Sequence, residues 1–88
     1  MSTFEEAAQM AKDQLPESLP NEDMLALYAL FKQATVGDCN TDRPGMFDQK
    51  GRYKWDAWNG KKGMSQEDAK KQYIQLVHDL KAKHGTRS

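Results

Sequence analysis

Apolar residues recur every three or four positions in the first part of the chain, a spacing typical of an amphipathic helix. Thr3 and Glu6 form a capping-box pattern at its start, and Pro16 is expected to end it. The apolar positions of this first helix are Phe4, Ala8, Ala11 and Leu15. Because these positions share one face, the sequence predicts that this face packs against the rest of the protein.

A second helix is predicted from about Asn21, and Gly37 is a suitable residue to follow its last turn. This helix carries two stripes of residues at helical spacing: Leu27, Leu30 and Ala34 form the first, and Met24, Tyr28 and Lys32 form the second. We expect the first stripe to face the other helices and the second stripe to face a different neighbour.

Residues 38–50 form a predicted connection that contains the sequence Arg-Pro-Gly. Loops of this length are uncommon in compact domains and are often functional, and a long crossover lets consecutive helices run parallel. A third helix is predicted over residues 51–61, with Trp55 and Trp58 on one face. Paired tryptophans at this spacing favour a place in the core over a place in a ligand site.

A fourth helix is predicted after Ser65, a good N-cap residue, and it continues to about Gly85. Its apolar stripe consists of Ala69, Tyr73, Leu76, Val77 and Leu80. No segment alternates apolar and polar residues as a half-buried strand does. The sequence therefore predicts an all-α protein: a single domain over residues 1–88, built as a four-helix bundle with a long crossover loop between helices 2 and 3.

Charge and composition narrow the possible partners. The 88 residues include 13 basic and 13 acidic ones, so the formal net charge is zero, and nucleic-acid binding is not expected. No apolar run approaches the ~20 residues of a membrane span, no signal region is visible, and Cys39 is the only cysteine. We expect a cytoplasmic protein without stable membrane insertion. Residues 43–62 carry six basic residues against two acidic ones, which points to an anionic partner of limited size.

Lys32 is the only charged residue between Met24 and Gly37. An ammonium group on a nearly apolar helix needs an anionic partner, because burying an unpaired charge is costly. Tyr28 lies one turn earlier on the same face, and Phe31 lies beside it. This combination indicates a site for a phosphorylated ligand with an aromatic ring. The alternative is that Tyr28 and Lys32 are ordinary residues at the edge of the bundle, with the ammonium reaching water.

Three segments together resemble the acyl-CoA-binding protein family. They read Tyr-Ala-Leu-Phe-Lys-Gln-Ala-Thr-Val-Gly-Asp from Tyr28, Arg-Pro-Gly in the crossover, and Lys-Trp-Asp-Ala-Trp from Lys54, followed by the tyrosine of helix 4. The resemblance runs from about residue 3 to residue 85. It implies one acyl-CoA-binding domain, a four-helix bundle that carries medium- to long-chain acyl-CoA thioesters without transforming them.

The resemblance also implies a site for the head group of the ligand. In this sequence Tyr28, Lys32 and Lys54 would contact the 3′-phosphate of the adenosine, and Phe31 would flank the adenine ring. Phe31 stands where the family often has tyrosine, which keeps the stacking face but removes a hydroxyl group. Lys12 corresponds to a lysine of the family's first helix when a one-residue gap is allowed.

The rest of the implied site follows the ligand toward its tail. Lys50 and Tyr73 would line the path of the phosphates and the pantetheine, while Met24, Leu25 and Ala8 would line the groove for the acyl chain. Gln49 stands next to Lys50 where an apolar ring is common in the family. The sequence therefore leaves the preferred acyl chain length open.

Two functions from different classes are compatible with the residues. The first is an intracellular carrier and buffer of acyl-CoA that needs no cofactor, has no catalytic residues and no metal, and makes transient contact with membrane enzymes that use acyl-CoA. No arrangement of Ser, His, Cys or paired carboxylates suggests an enzyme. The second is a protein–protein interaction module that docks a partner helix on the apolar stripe of helix 2. Charge reversal at Lys32 separates them, because only the first function depends on that cation.

Overall fold

A computed structural model describes residues 3–15 and 19–85 of the chain. These residues form four helices and no strand: α1 (Phe4–Gln14), α2 (Asn21–Thr35), α3 (Gln49–Asn59) and α4 (Gln66–His84). A crossover of residues 36–48 joins α2 to α3. The all-α class, the number of helices and the long connection are as predicted. Within the described ranges, no helix has both the length and the apolar character that crossing a membrane requires.

The predicted caps are present at three helix ends. The Thr3 hydroxyl accepts a hydrogen bond from the Glu6 amide at 3.1 Å, and Ser65 accepts one from the Asp68 amide at 3.1 Å. Gly37 follows α2 with φ of 99°, a left-handed conformation that glycine adopts without a steric penalty. α1 ends at Gln14, and Pro16, the predicted end of that helix, lies outside the described residues.

The predicted start of α3 is wrong by two residues. Asp48 caps this helix by accepting a hydrogen bond from the Gly51 amide at 3.0 Å, so Gln49 and Lys50 already belong to the first turn. The helix also ends at Asn59, two residues before the predicted end. The Asp48 cap matters for the site, because it places Gln49 and Lys50 on a helix rather than in a loop.

The helices α2 and α4 lie antiparallel at the centre of the protein. Asp23, at the start of α2, pairs with His84 at the end of α4 with 3.1 Å between Oδ2 and Nε2. At the other end, the side chain of Gln66 donates to the carbonyl of Ala34 at 3.1 Å. α1 packs on α4, and α3 packs on α2. The core of buried side chains lies between α1, α2 and α4 and contains Ala7, Leu30, Tyr73 and Val77.

Two contacts show that α2 and α3 run parallel. The Lys54 ammonium lies 5.4 Å from the centre of the Tyr28 ring, and the Lys32 ammonium lies 5.0 Å from the centre of the Trp58 ring. Both pairs join residues that are 26 positions apart in the sequence, as a parallel register requires. The expectation that the crossover allows parallel neighbours is therefore confirmed.

Hydrogen bonds from α3 hold the crossover in place. The indole N–H of Trp58 donates to the carbonyl of Gly37, and that of Trp55 donates to the carbonyl of Thr41, each at 2.8 Å. Arg43 forms two parallel bonds to Asp56 at 3.0 and 2.9 Å, and this contact lowers the pKa of the Asp56 carboxyl. Trp58 is buried as predicted, and Trp55 is half-buried.

A polar cluster closes the end of the protein where α2 finishes. The buried side chain of Gln33 donates to Asp38 at 2.9 Å and to the carbonyl of Met64 at 2.7 Å. The backbone N–H of Gly63 also donates to Asp38, at 2.9 Å, and this bond, followed by that from Gln33, lowers the pKa of the carboxyl. The cluster ties α2 to the start of the crossover and to the turn between α3 and α4.

Candidate functional site

An apolar cavity of about 600 Å³ opens between the N-terminal halves of α2 and α3. This volume lies within the range of about 300–1,000 Å³ that is usual for small-molecule sites. Its wall is formed by four residues of α2 and four of α3: Asn21, Met24, Leu25, Tyr28, Gln49, Lys50, Tyr53 and Lys54. The four residues of α2 have the spacing of a single helix face, and so do the four residues of α3. These two faces meet at the cavity.

The wall changes in character along α2. Met24 and Leu25 supply apolar surface in the first turns, Tyr28 follows with a phenol, and Lys32 lies one turn beyond the cavity. From residue 24 to residue 32 the helix rises about 12 Å, at ~1.5 Å per residue. The strip therefore leads from an apolar end to a cationic end, which suits an elongated ligand with a tail and an anionic head.

We call Lys32, Lys50 and Lys54 the cationic edge of the site. No carboxylate of the described residues forms a salt bridge with these three side chains. Lys32 and Lys54 instead lie over the rings of Trp58 and Tyr28. An ammonium over an aromatic face keeps its charge without an anionic partner, and such contacts contribute ~0.5–1 kcal/mol at exposed sites. The edge thus presents positive charge that no ion pair within residues 3–15 and 19–85 neutralises.

The structure brings together six of the ten residues that the sequence and the resemblance predict. Five of them line the cavity, namely Met24, Leu25, Tyr28, Lys50 and Lys54, and Lys32 continues the same strip.

The other four predicted residues lie elsewhere. Phe31 and Tyr73 belong to a cluster of rings with Phe4, in which the centroid distances are 5.1 to 6.0 Å. Tyr73 is only 5% exposed, and its burial raises the pKa of the phenol. Ala8 packs against the core, and Lys12 is exposed on α1. None of these four lines the cavity between α2 and α3. Their part in binding the ligand stays a prediction.

The prediction missed three residues of the wall: Asn21, Gln49 and Tyr53. The sequence marks Gln49 as a departure from the family, but a helix that begins at Gly51, as predicted, leaves Gln49 in the connection before it. Gln49 and Tyr53 are four residues apart and therefore share a face of α3. An earlier helix start, indicated by the Asp48 cap, would have identified both.

The fold and the cavity define a small all-α ligand-binding protein whose site suits an amphipathic anion. The chain belongs to the acyl-CoA-binding protein family, because residues 1–77 match the family described as "Acyl CoA binding protein". It is 54% identical to "Acyl-CoA-binding protein homolog 1" of Caenorhabditis elegans over 83 residues, which are 94% of this chain and 95% of that protein.

Further relatives agree in sequence and in structure. The "Acyl-CoA-binding protein" of Saccharomyces cerevisiae is 53% identical over 83 residues, 94% of each chain. The crystal structure of Oryza sativa Acyl-CoA-Binding Protein 2 superimposes with a TM-score of 0.87 at 52% identity, covering 91% of this chain and 86% of that one. The resemblance noted from the sequence is thus confirmed over nearly the whole chain.

Proposed function

We propose that this protein binds medium- to long-chain acyl-CoA non-covalently and acts as a carrier and buffer of these thioesters. The observation that carries the proposal is the cationic edge beside an apolar cavity on two parallel helices. Membership of the acyl-CoA-binding protein family supports the same ligand. We further propose a cytoplasmic monomer that leaves the thioester chemically unchanged and requires no cofactor.

The head group would lie along the cationic edge. The 3′-phosphate of the adenosine carries about two negative charges near neutral pH and several acceptor oxygens. Lys32 and Lys54 approach it from different helices, and the Tyr28 phenol offers a further donor. Each hydrogen bond to a charged group contributes roughly 1.5–3 kcal/mol. Lys50, on the wall of the cavity, is placed to meet the remaining phosphates.

The acyl tail would enter the cavity past Met24 and Leu25. Burying about ten methylenes at ~0.8 kcal/mol each gives ~8 kcal/mol before the costs of ordering are subtracted. The tail therefore makes the largest single contribution to the affinity. The phosphates contribute the selection against free fatty acids, which offer a single carboxylate where the ligand offers several phosphate charges to the cationic edge.

The adenine ring would stack on the aromatic cluster of Phe4, Phe31 and Tyr73. Phe31 is 39% exposed, and the buried Tyr73 contacts it with 6.0 Å between the ring centres. A base stacks on an aromatic side chain without hydrogen bonds to its edge, and this stacking contributes about 1–3 kcal/mol per base. In this arrangement Tyr73 positions Phe31, and its own contact with the ligand stays a prediction from the family.

Calorimetric titrations test the proposal. We expect tight binding of palmitoyl-CoA, much weaker binding of free CoA, and weak binding of palmitate. Lys32→Glu should abolish the binding of palmitoyl-CoA, while Lys71→Glu, a charge reversal at an exposed position of α4, should leave it unchanged. Equal affinities for palmitoyl-CoA and palmitate would contradict the proposal.

A further inference from the structure

The exposed large apolar side chains are concentrated at one end of the protein. Four of those in the described residues belong to the first turns of α2 and α3 or to the turn just before α3: Met24, Met46, Phe47 and Tyr53. Phe47 is 98% exposed and Met46 is 69% exposed. Burying such side chains is favourable, so a cluster of them in water indicates a surface that is covered at some stage of function.

Met46 and Phe47 are the two central residues of a tight turn, which is closed by a hydrogen bond from the Asp48 amide to the Gly45 carbonyl at 3.0 Å. We call these two residues the turn tip. A turn of this kind projects its central side chains outward on a narrow convex point. A protein partner would need a matching pocket to receive such a point, whereas the interface of a lipid bilayer accepts it without one.

The turn tip lies at the apolar end of the candidate site. Gln49 lines the cavity together with Asn21 and Met24 of α2. It follows Phe47 by two residues, so the turn tip immediately precedes the end of α3 that faces the first turn of α2. Of the cationic edge, Lys50 lies near this end, and Lys54 and Lys32 lie farther along the helices. A molecule that rests its turn tip on a bilayer would therefore present the tail end of the cavity to the hydrocarbon.

The charges next to the turn tip are of both signs. Asp48 follows Phe47 directly and is exposed, and Lys50 is exposed one position past Gln49. A zwitterionic lipid head group offers a phosphate to the ammonium and a quaternary ammonium to the carboxylate. This pair of charges favours a head group of mixed sign over a strongly anionic surface, and it leaves the apolar side chains as the main source of affinity.

We propose that the turn tip, Met46 and Phe47, docks this protein reversibly on the surface of a lipid bilayer, where acyl-CoA enters or leaves the cavity by its tail. The inference rests on the proposed function, since it assigns a membrane-facing end to the same site. Two side chains bury less hydrocarbon than a myristoyl chain, whose association constant is only ~10⁴ M⁻¹. Docking is accordingly weak and transient, as suits a carrier that must depart with its ligand.

Sedimentation of the ligand-free protein with phosphatidylcholine vesicles at millimolar lipid tests the docking itself. We expect measurable partitioning, a decrease of about tenfold in the partition coefficient for Phe47→Ala, and a smaller decrease for Met46→Ala. Val36→Ala is the matched control, because Val36 is an apolar side chain, 46% exposed, at the opposite end of α2. It should partition like the wild type.

A second measurement connects docking to the ligand. Phe47→Ala should slow the capture of palmitoyl-CoA from loaded vesicles, while its calorimetric affinity for palmitoyl-CoA in solution stays unchanged, because Phe47 does not line the cavity. Failure of palmitoyl-CoA to bind in solution would refute the proposed function alone. Absence of partitioning, equal partitioning of Phe47→Ala and the wild type, or binding only to phosphatidylserine vesicles would overturn the docking proposal. Self-association that Phe47→Ala abolishes would likewise overturn it, in favour of a second copy as the partner.

Discussion

Replacing Lys54 by methionine tests whether the cationic edge recognises the head group. Methionine keeps much of the apolar stem and removes the ammonium, which lies 5.4 Å from the centre of the Tyr28 ring in the unbound protein. That contact contributes ~0.5–1 kcal/mol at an exposed site. A hydrogen bond from the same ammonium to a phosphate contributes roughly 1.5–3 kcal/mol. Removing the ammonium therefore destabilises the complex with the ligand more than it destabilises the protein without the ligand.

The size of the effect depends on whether the ammonium leaves the ring when the phosphate binds. If it stays over the ring, the full contribution of the phosphate contact is lost, and the dissociation constant for palmitoyl-CoA rises about 10- to 150-fold. If it must leave, the two contributions partly cancel, and the increase is roughly 2- to 70-fold. Stability should fall by less than about 1 kcal/mol in either case, because only the contact with the ring is lost.

Isothermal titration calorimetry with palmitoyl-CoA and with palmitate measures the effect, and urea unfolding monitors stability. Lys71→Met provides the control, since it removes an exposed lysine from α4, away from the cavity. The reasoning fails if Lys54→Met weakens the binding of both ligands equally, because the ammonium would then act on the tail or on the fold. It also fails if Lys54→Met and Lys71→Met have the same effect.

Three further predictions concern the wall of the cavity, the hydrogen bond that joins Trp58 to the crossover, and the polar cluster around Asp38. Gln49→Leu adds apolar surface to the tail end of the cavity and should tighten the binding of palmitoyl-CoA by about fivefold, or ~1 kcal/mol, without changing that of free CoA in calorimetry. Trp58→Phe leaves the carbonyl of Gly37 without its donor and should lower the free energy of unfolding in urea by about 1–3 kcal/mol; an unchanged value would mean that this bond does not fix the crossover. The pKa of Asp38 is lowered below its ordinary value of 3.8, mainly by the Gly63 amide, so its carboxylate contributes stability that is present above 3.8 and is lost as the pH falls through the folded-state pKa. Asp38→Asn should therefore destabilise the protein at neutral pH, and urea titrations should find that its difference from the wild type narrows in acid.

The sequence predicts the helices well because their signals are local. The caps at Thr3 and Ser65 and the glycine after α2 each depend on residues within one turn of the helix end. The start of α3 was missed for a local reason as well: Gly51 lowers the helix propensity just after the cap, and the Asp48 side chain compensates by accepting from the Gly51 amide. Composition alone therefore favoured a loop where the cap forms a helix.

The assembly of the site depends on the register between α2 and α3, which no local pattern specifies. The two indole bonds, from Trp58 to Gly37 and from Trp55 to Thr41, anchor the crossover along α3 and thereby set which residues face α2. The burial of Tyr73, in contrast, follows from a local pattern. Its place in the apolar stripe of α4 predicted burial, which the structure confirms, while the role in the site that the family resemblance implies stays a prediction.

The position of the cavity follows from where tryptophan fills the interface between α2 and α3. Trp58 is buried at the C-terminal end of this parallel pair, where its ring occupies the space between the helices and its face carries the Lys32 ammonium. About two and a half turns of helix separate Trp58 from Gln49 at the start of α3. Gln49 and Lys50 are exposed there and leave the space beside Met24 open. In the parallel arrangement, Trp58 therefore fills the end of the interface where Lys32 lies, and the end beside Met24 stays open to an acyl tail. An antiparallel pair would leave Lys54 beside Tyr28, because each is the central residue of its helix. It would instead bring Trp58 to the level of Met24, where its ring would fill the space that the acyl tail needs.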